Sequence, residues 1–243
     1  MTLPDARRLY AATEATWPSA RAWPLGPWTI REGQGGGQRV SSATLDGPFR
    51  PAAIDDAERA MADLEQPVLF MIRTGDEALD AELDARGYSI KDPVVQYVAP
   101  TAALSRIMPP PIATFTIWPP LVIMTDLWAE GGIGPGRIDV MTRAPGPKTG
   151  ILARQADRAA GCAFVARDGC VAMVHALEVA PQLRRKGAAA NMMRAAARWA
   201  LDNGADYLAV VVTAANAAAN ALYSDMGMTP VGRYHYRIRT GPQ

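Results

Sequence analysis

Two stretches offset by 140 residues carry the same succession of signals, which constrains the chain to be built from related halves. The first reads FMIRTGDEALDAELDARGY and then VVQYV; the second reads VVVTAANAAANALYSDMGM and then YHYRI. Each is an apolar strand, a helical segment stopped by glycine and a second strand. Superposing Gly87 on Gly227 brings Asp76 onto Asn216 and Leu83 onto Tyr223. Between residues 100 and 120 the composition changes to PPPIATFTIWPP, a proline-rich junction around a short strand, so the boundary falls between residues 101 and 111. The expected division is 1–105 and 106–243.

With 243 residues the chain can bury one large core or two smaller ones. Its net charge of +1, from 25 Lys and Arg against 24 Asp and Glu, argues against bulk nucleic-acid binding. No apolar run approaches the roughly 18 residues of a membrane span. The start, MTLPDARRLYAATEATWP, lacks the apolar centre of a signal peptide, which makes a cytoplasmic protein the expectation. Cys162 and Cys170 flank ARDG, where Asp168-Gly169 suits a hairpin turn. They would not sit opposite one another, and their spacing is not that of a zinc site. Both are read as reduced strand residues, and no metal is expected.

The first half offers a helix over 5–16, a strand over 28–31, the glycine-rich EGQGGGQ, a strand over 39–45 and a helix over 52–64. In the second half, helices are expected over 125–129 and 137–143, on either side of GGIGPG. Next come two strands joined at Asp168-Gly169, then GAAANMMRAAARWALDNG. Met192, Ala196, Trp199 and Ala200 share one face of that helix, with Arg194, Arg198 and Asp202 outside. The run YLAVVVT is continuously apolar, as a strand covered on both faces requires. In VGRYHYRIR the residues Tyr234, Tyr236 and Ile238 alternate with Arg233, His235, Arg237 and Arg239. Period-two alternation favours a half-exposed edge strand over a nucleic-acid patch, with His235 at the surface.

The chemistry concentrates where VAMVHALEV runs into QLRRKGAAA. The first N–H groups of a helix have no intrahelical partner, and the helix dipole adds partial positive charge there. A phosphate can be held by those donors. Gly187 allows close approach, Ala188, Ala189 and Ala190 keep side chains clear, and Arg184, Arg185 and Lys186 add charge. Taken alone, the pattern suits a solvated basic turn equally well.

Downstream, Asn216-x-x-Ala219-x-x-Leu222-Tyr223-x-x-x-Gly227 follows a parallel-type strand. Together with Arg184-x-x-Gly187-x-Ala189, this order and spacing resembles the GNAT superfamily of acyl-CoA-dependent N-acyltransferases. The resemblance spans roughly residues 112–239 and is close over 171–239; Met228 stands where phenylalanine is common. It implies an α/β fold of two GNAT-like domains, each a central mixed β-sheet flanked by helices. It further implies acetyl-CoA as acyl donor, held through Arg184, Arg185, Lys186, Gly187, Ala188, Ala189 and Ala190. Main-chain groups of Leu177 and Val179 would meet the pantetheine arm or thioester carbonyl, on a strand splayed from its neighbour, with Asn216 and Ala219 nearby.

By the same resemblance Tyr223 is the general acid that protonates the departing thiolate. Glu178 is the first choice of base and His175 the second, although a regular strand would point these two to opposite faces. Trp118, Trp128 and Glu130 are candidates for acceptor binding, and both tryptophans suit a core equally well. The first half has DGPFRPA at the loop position, where two prolines remove donors, and Leu83 at the acid position. It is therefore read as a degenerate, non-catalytic copy forming one wall of the acceptor cleft. The implied function is transfer of acetyl from acetyl-CoA to a primary amine, of a small molecule or a peptide, by direct attack in a ternary complex. A non-catalytic acyl-CoA-binding regulatory module is the alternative; a phosphotransferase would need the absent G-x-x-x-x-G-K-[ST] loop. Neither nucleic acid nor membrane is an expected partner, and the protein is expected to be a monomer or homodimer.

Overall fold

The structure is a computed structural model in which residues 2–239 are described. The chain opens with helix α1 (Ala6–Thr16), where Asp5 caps the N-terminus by accepting from the Arg8 N–H at 2.8 Å. Strands β1 (Arg21–Leu25) and β2 (Trp28–Glu32) form a hairpin turned at left-handed Gly26. The β1 strand goes beyond the sequence reading, although the Gly26-Pro27 pair signals its turn. The strand expected over 39–45 is replaced by a 3-10 turn, Gln38–Val40, and a two-residue β3 (Thr44–Leu45). The Ser42 N–H bonds back to the Gln38 carbonyl at 3.0 Å, so local turn bonding wins over extension.

Helix α2 (Ile54–Asp63), strand β4 (Leu69–Arg73), helix α3 (Glu77–Ala85), strand β5 (Ser89–Pro100) and a single turn, α4 (Thr101–Leu104), complete the first half. The second half runs β6 (Thr114–Ile117), α5 (Val122–Glu130), α6 (Pro135–Arg143), β7 (Lys148–Gln155), β8 (Arg158–Asp168) and β9 (Val171–Val179). It ends with α7 (Ala188–Asp202), β10 (Tyr207–Thr213), α8 (Ala217–Asp225) and β11 (Thr229–Ile238). The β8–β9 hairpin turns at Gly169 as expected, and both cysteines are free.

The halves share one eight-stranded mixed sheet, ordered β4-β11-β5-β10-β9-β8-β7-β6. Strand β11 lies between β4 and β5, and β5 lies between β10 and β11, so each half lends a strand to the other. The 140-residue repeat is obeyed by the register. Ser89 pairs with Ile238 and Val98 with Thr229, which is one pairing seen twice. Arg73–Tyr234 and Thr213–Val94 are likewise equivalent, as are α3 and α8. A pseudo-twofold axis therefore passes between β5 and β11.

This exchange corrects the reading of β11 as an edge strand with His235 at the surface. Its basic side meets the acidic α3 of the first half. His235 Nε2 lies 2.9 Å from Asp80, and Arg237 donates to Asp80, Asp84 and the Tyr88 carbonyl. Arg239 pairs with Glu58. Three of the four basic residues of the stripe are thus paired within the fold, and Arg233 is exposed. Helix α7 covers one sheet face through Ala188, Met192, Met193, Ala196, Ala197 and Ala200; α1 and α5 cover the other.

Candidate active site

Strands β9 and β10 pair in parallel only as far as Val174 and Val210. Beyond that point they separate, although β9 continues to Val179 and β10 to Thr213. The Ala180 N–H points towards β8, bonding the Ala160 carbonyl at 2.9 Å. By alternation the N–H groups of Leu177 and Val179 face the open side, where β10 has withdrawn. The gap is a cleft of about 1200 Å³ running from the start of α7 to Tyr223.

The charged loop sits at the outer end of this cleft. Gly187 is left-handed (φ 89°) and caps α7, and the first intrahelical bond runs from the Asn191 N–H to the Gly187 carbonyl. The N–H groups of Ala188, Ala189 and Ala190 are consequently free for an anion, at the positive end of a 15-residue helix. A Cβ on Gly187 would meet nothing within 4 Å, so glycine is needed there for its φ and not for space. Gly187→Ala is expected to destabilise the fold by about 1–2 kcal/mol and Gly187→Asn by less, read from denaturation midpoints.

Leu177, Glu178, Val179, Arg184, Arg185, Gly187, Ala188, Ala189, Ala190, Asn216, Ala219 and Tyr223 all line the cleft; Lys186 does not. Arg184 is folded inward, donating from Nε to the Val179 carbonyl (3.0 Å) and from Nη2 to Glu178 (3.0 Å). It ties the loop to β9, which leaves Arg185 as the exposed loop arginine without a carboxylate partner among the described residues. Asn216 uses its side-chain oxygen to cap α8 at the Ala219 N–H (3.1 Å). Tyr223 is 4% exposed, packs against Tyr97 and has its pKa pushed up to about 12 by burial.

A bulge re-aims β9 where it leaves β10. Two residues, Ala176 and Leu177, stand opposite Ala163, and Ala176 has φ 49°. His175 therefore meets Thr16 of α1 while Glu178 lies against Gly131 beyond α5, so both are on the face that α1 and α5 cover. His175 is unsuited to act as the base. It is 3% exposed, its Nδ1 accepts from Arg39 (3.2 Å), and its Nε2 faces Thr16 Oγ1 (2.8 Å), which donates to the Ala12 carbonyl. Burial, and then the Arg39 charge, hold its pKa well below the usual histidine value. Glu178 keeps 21% side-chain exposure on the cleft wall.

None of the three acceptor candidates lines this cleft or the chamber beside it. Trp128 is fully buried and donates from Nε1 to the Ala176 carbonyl (2.7 Å), pinning the bulge. Trp118 packs against Phe164 under Lys148. Glu130 is exposed at the end of α5. The cleft instead continues past Arg39, Ala176 and Thr213 into a second chamber of about 220 Å³. Trp17, Gly37, Gln38 and Arg39 of the first half line it with Arg137 and Tyr236 of the second. Gly37, Gln38 and Arg39 belong to GQGGGQRV, which precedes a strand-like run and reads in sequence as a flexible hairpin or acceptor-side loop, whereas Trp17, Arg137 and Tyr236 carry no such signal. The glycine-rich connection is pressed onto α6, where a Cβ on Gly36 would stand 2.5 Å from Val140 and one on Gly136 2.7 Å from Gly35.

Comparison with known proteins places this geometry in context. A family profile described as Acetyltransferase (GNAT) family matches residues 123–228. An uncharacterized N-acetyltransferase of Bacillus subtilis (strain 168), YobR, is 27% identical over 97% of this chain and 99% of its own length. A GCN5-related N-acetyltransferase from Kribbella flavida superposes with a TM-score of 0.75 at 18% identity, covering 99% and 98% of the two chains. A tandem GNAT protein from the clavulanic acid biosynthesis pathway superposes at 0.61 and 14% identity, over 83% of this chain and 76% of that one. At such identities the two structures speak to fold alone. No helix among the described residues is long and apolar enough to cross a membrane, and no group of three or more His, Cys, Asp or Glu residues there could hold a metal ion.

Proposed function

Because this chain carries an acetyltransferase domain of the GNAT family over residues 123–228 and is an acyltransferase, we propose that it moves acetyl from acetyl-CoA to a primary amine by direct attack in a ternary complex. The observation that carries this reading is the parting of β9 and β10 at Val174 and Val210, with anion donors at one end and the Tyr223 ring at the other. The free N–H groups of Ala188 to Ala190 and the Arg185 side chain would hold the pyrophosphate. The N–H groups of Leu177 and Val179 face where the pantetheine arm and the thioester carbonyl would lie, and such donors stabilise a developing oxyanion. The amine nitrogen bonds to the carbonyl carbon and the C–S bond breaks. The amine's surplus proton goes to Glu178, directly or through water, and the Tyr223 hydroxyl donates to the sulfur.

Residues 1–105 fit the role of a degenerate copy. Phe70 is equivalent to Val210 and forms an isolated parallel bridge with Ala43 where the second half would begin to part. The corresponding space is filled, with Phe70, Leu79 and Leu83 all fully buried in one cluster.

Coenzyme A release measured across an amine library tests the transfer. Amine-dependent thiol release is expected, whereas saturable coenzyme A binding with no release from any amine would favour a binding module. Glu178→Gln is expected to lower kcat about 10²-fold or more at neutral pH, with part of the loss recovered at higher pH as the amine deprotonates in solution. A flat response would remove Glu178 from the proton path.

A further inference from the structure

The second chamber holds two arginines without a carboxylate partner among the described residues, although against burial the neighbouring Tyr234 and Tyr236 hydroxyls hold the Arg39 pKa up. Besides its contact to His175, Arg39 lies 5.8 Å from the Trp17 ring, and its Nε is buried without a hydrogen-bond partner. Arg137 projects from the first turn of α6 across Gly37; a Cβ on that glycine would stand 3.3 Å from both Nε and Nη2 of Arg137. Burial, and then the Arg39 charge, lower the Arg137 pKa below the usual arginine value. Among the described residues neither guanidinium lies within 4.0 Å of a carboxylate. Asp92, the one acid among the described residues lining the chamber, accepts from Gln38 at 2.8 Å.

Three other arginines with little side-chain exposure are paired, whereas the half-buried Arg143, Arg167 and Arg194 share with Arg39 and Arg137 the lack of a carboxylate within 4.0 Å among the described residues. Arg31 meets Glu14, Arg73 meets Asp46 and Asp76, and Arg237 meets Asp80 and Asp84. Two neighbouring, partly desolvated cations without an anion are costly, and a bound anion relieves that cost with charge-assisted hydrogen bonds. The chamber joins the cofactor cleft at Arg39, Ala176 and Thr213, beside the bulge of β9. Its volume, about 220 Å³, is below that of sites for drug-sized ligands.

We propose that the acceptor is a small zwitterion, an amine carrying an oxyanion, with the oxyanion seated between Arg39 and Arg137 and the amine directed towards Ala176. This specifies the acceptor of the acetyl transfer read above and rests on that reading for the identity of the reacting group. The carboxylate of an amino acid and the phosphate of an aminoalkyl phosphate share the required chemistry. Plain alkylamines and carboxamides lack it.

Two measurements separate this inference from the transfer itself. In the first, kcat/KM is compared for free amino acids, their carboxamides, aminoalkyl phosphates and alkylamines. An oxyanion-bearing class is expected to lead its neutral analogues by on the order of 10²-fold, a gap that Arg137→Gln reduces at least tenfold. Whichever of amino acids and aminoalkyl phosphates leads identifies the source of the oxyanion. In the second, calorimetry on the coenzyme A-loaded wild-type protein compares N-acetyl amino acids and N-acetylated aminoalkyl phosphates with N-acetyl amino acid carboxamides. Preferential binding of either anion without any turnover would defeat the transfer and leave the anion seat standing. Equal binding of anions and carboxamides would overturn the seat whatever the turnover. The wild-type comparisons hold even if a variant fails to fold.

Discussion

Replacing Tyr223 with phenylalanine is expected to lower kcat by about 10²–10⁴-fold while coenzyme A binding stays nearly unchanged. The ring is buried and packs against Tyr97, and phenylalanine preserves that packing. Among the described residues the hydroxyl has no hydrogen-bond partner, so its removal leaves no orphaned group and little cost to the fold is expected. The loss should therefore fall on the chemical step. Burial, which raises the Tyr223 pKa to about 12, keeps the phenol protonated across the working pH range, the form an acid requires. It follows that Tyr223 places no descending limb on the pH profile below about pH 11, and that the ascending limb belongs to the amine or its base. The check is a pre-steady-state measurement of thiol release beside a coenzyme A titration. Wild-type turnover in the phenylalanine variant, with binding intact, would remove Tyr223 from the mechanism.

Cutting the chain after residue 105 is expected to abolish the fold of both pieces. Strand β5 supplies seven register pairs to β10 and also flanks β11, so a fragment of residues 106–243 would lose the strand that joins its last two. The first-half fragment would keep β4 and β5 but lose β11, the strand between them. Each piece would expose unpaired edges, which promote association and aggregation. Co-expressed pieces should reassemble and recover turnover. The intact chain should unfold in a single transition sensed alike by far-UV dichroism and by tryptophan fluorescence, since Trp28 and Trp128 lie in different cores that both include strands of the eight-stranded sheet. An isolated second-half fragment that is monomeric, cooperatively folded and active would contradict this coupling.

Much of the cleft lining was legible because its signals are local. Gly187 at a helix start, three alanines after it, and Asn216 and Tyr223 at helical spacing all belong to strand-loop-helix units whose geometry follows from their own residues. That Trp118, Trp128 and Glu130 stand outside the cleft and the second chamber was not legible, because the signals involved are not local. Trp128 is a good contact residue by type, yet its indole is committed to the Ala176 carbonyl, and no periodicity reveals that commitment. Arg39 and Arg137 are ordinary surface-type residues in sequence, almost 100 positions apart, and acquire meaning only where the first half docks on α6. Similarly, His175 and Glu178 share a face only because of a bulge, and the pattern VAMVHALEV does not announce one.

The sequence by itself determined the strand-loop-helix cradle and the 140-residue repeat, because glycine stops, helix caps and apolar periodicity act over a few residues. Only the tertiary structure decided that the two copies exchange strands, that His235 and Arg237 of β11 meet the acids of α3, and that two arginines without a carboxylate partner line the second chamber. Those outcomes depend on which distant surfaces meet: a strand's edge pairs with whatever edge reaches it, and a charge is solvated, paired or left for a ligand according to what packs beside it.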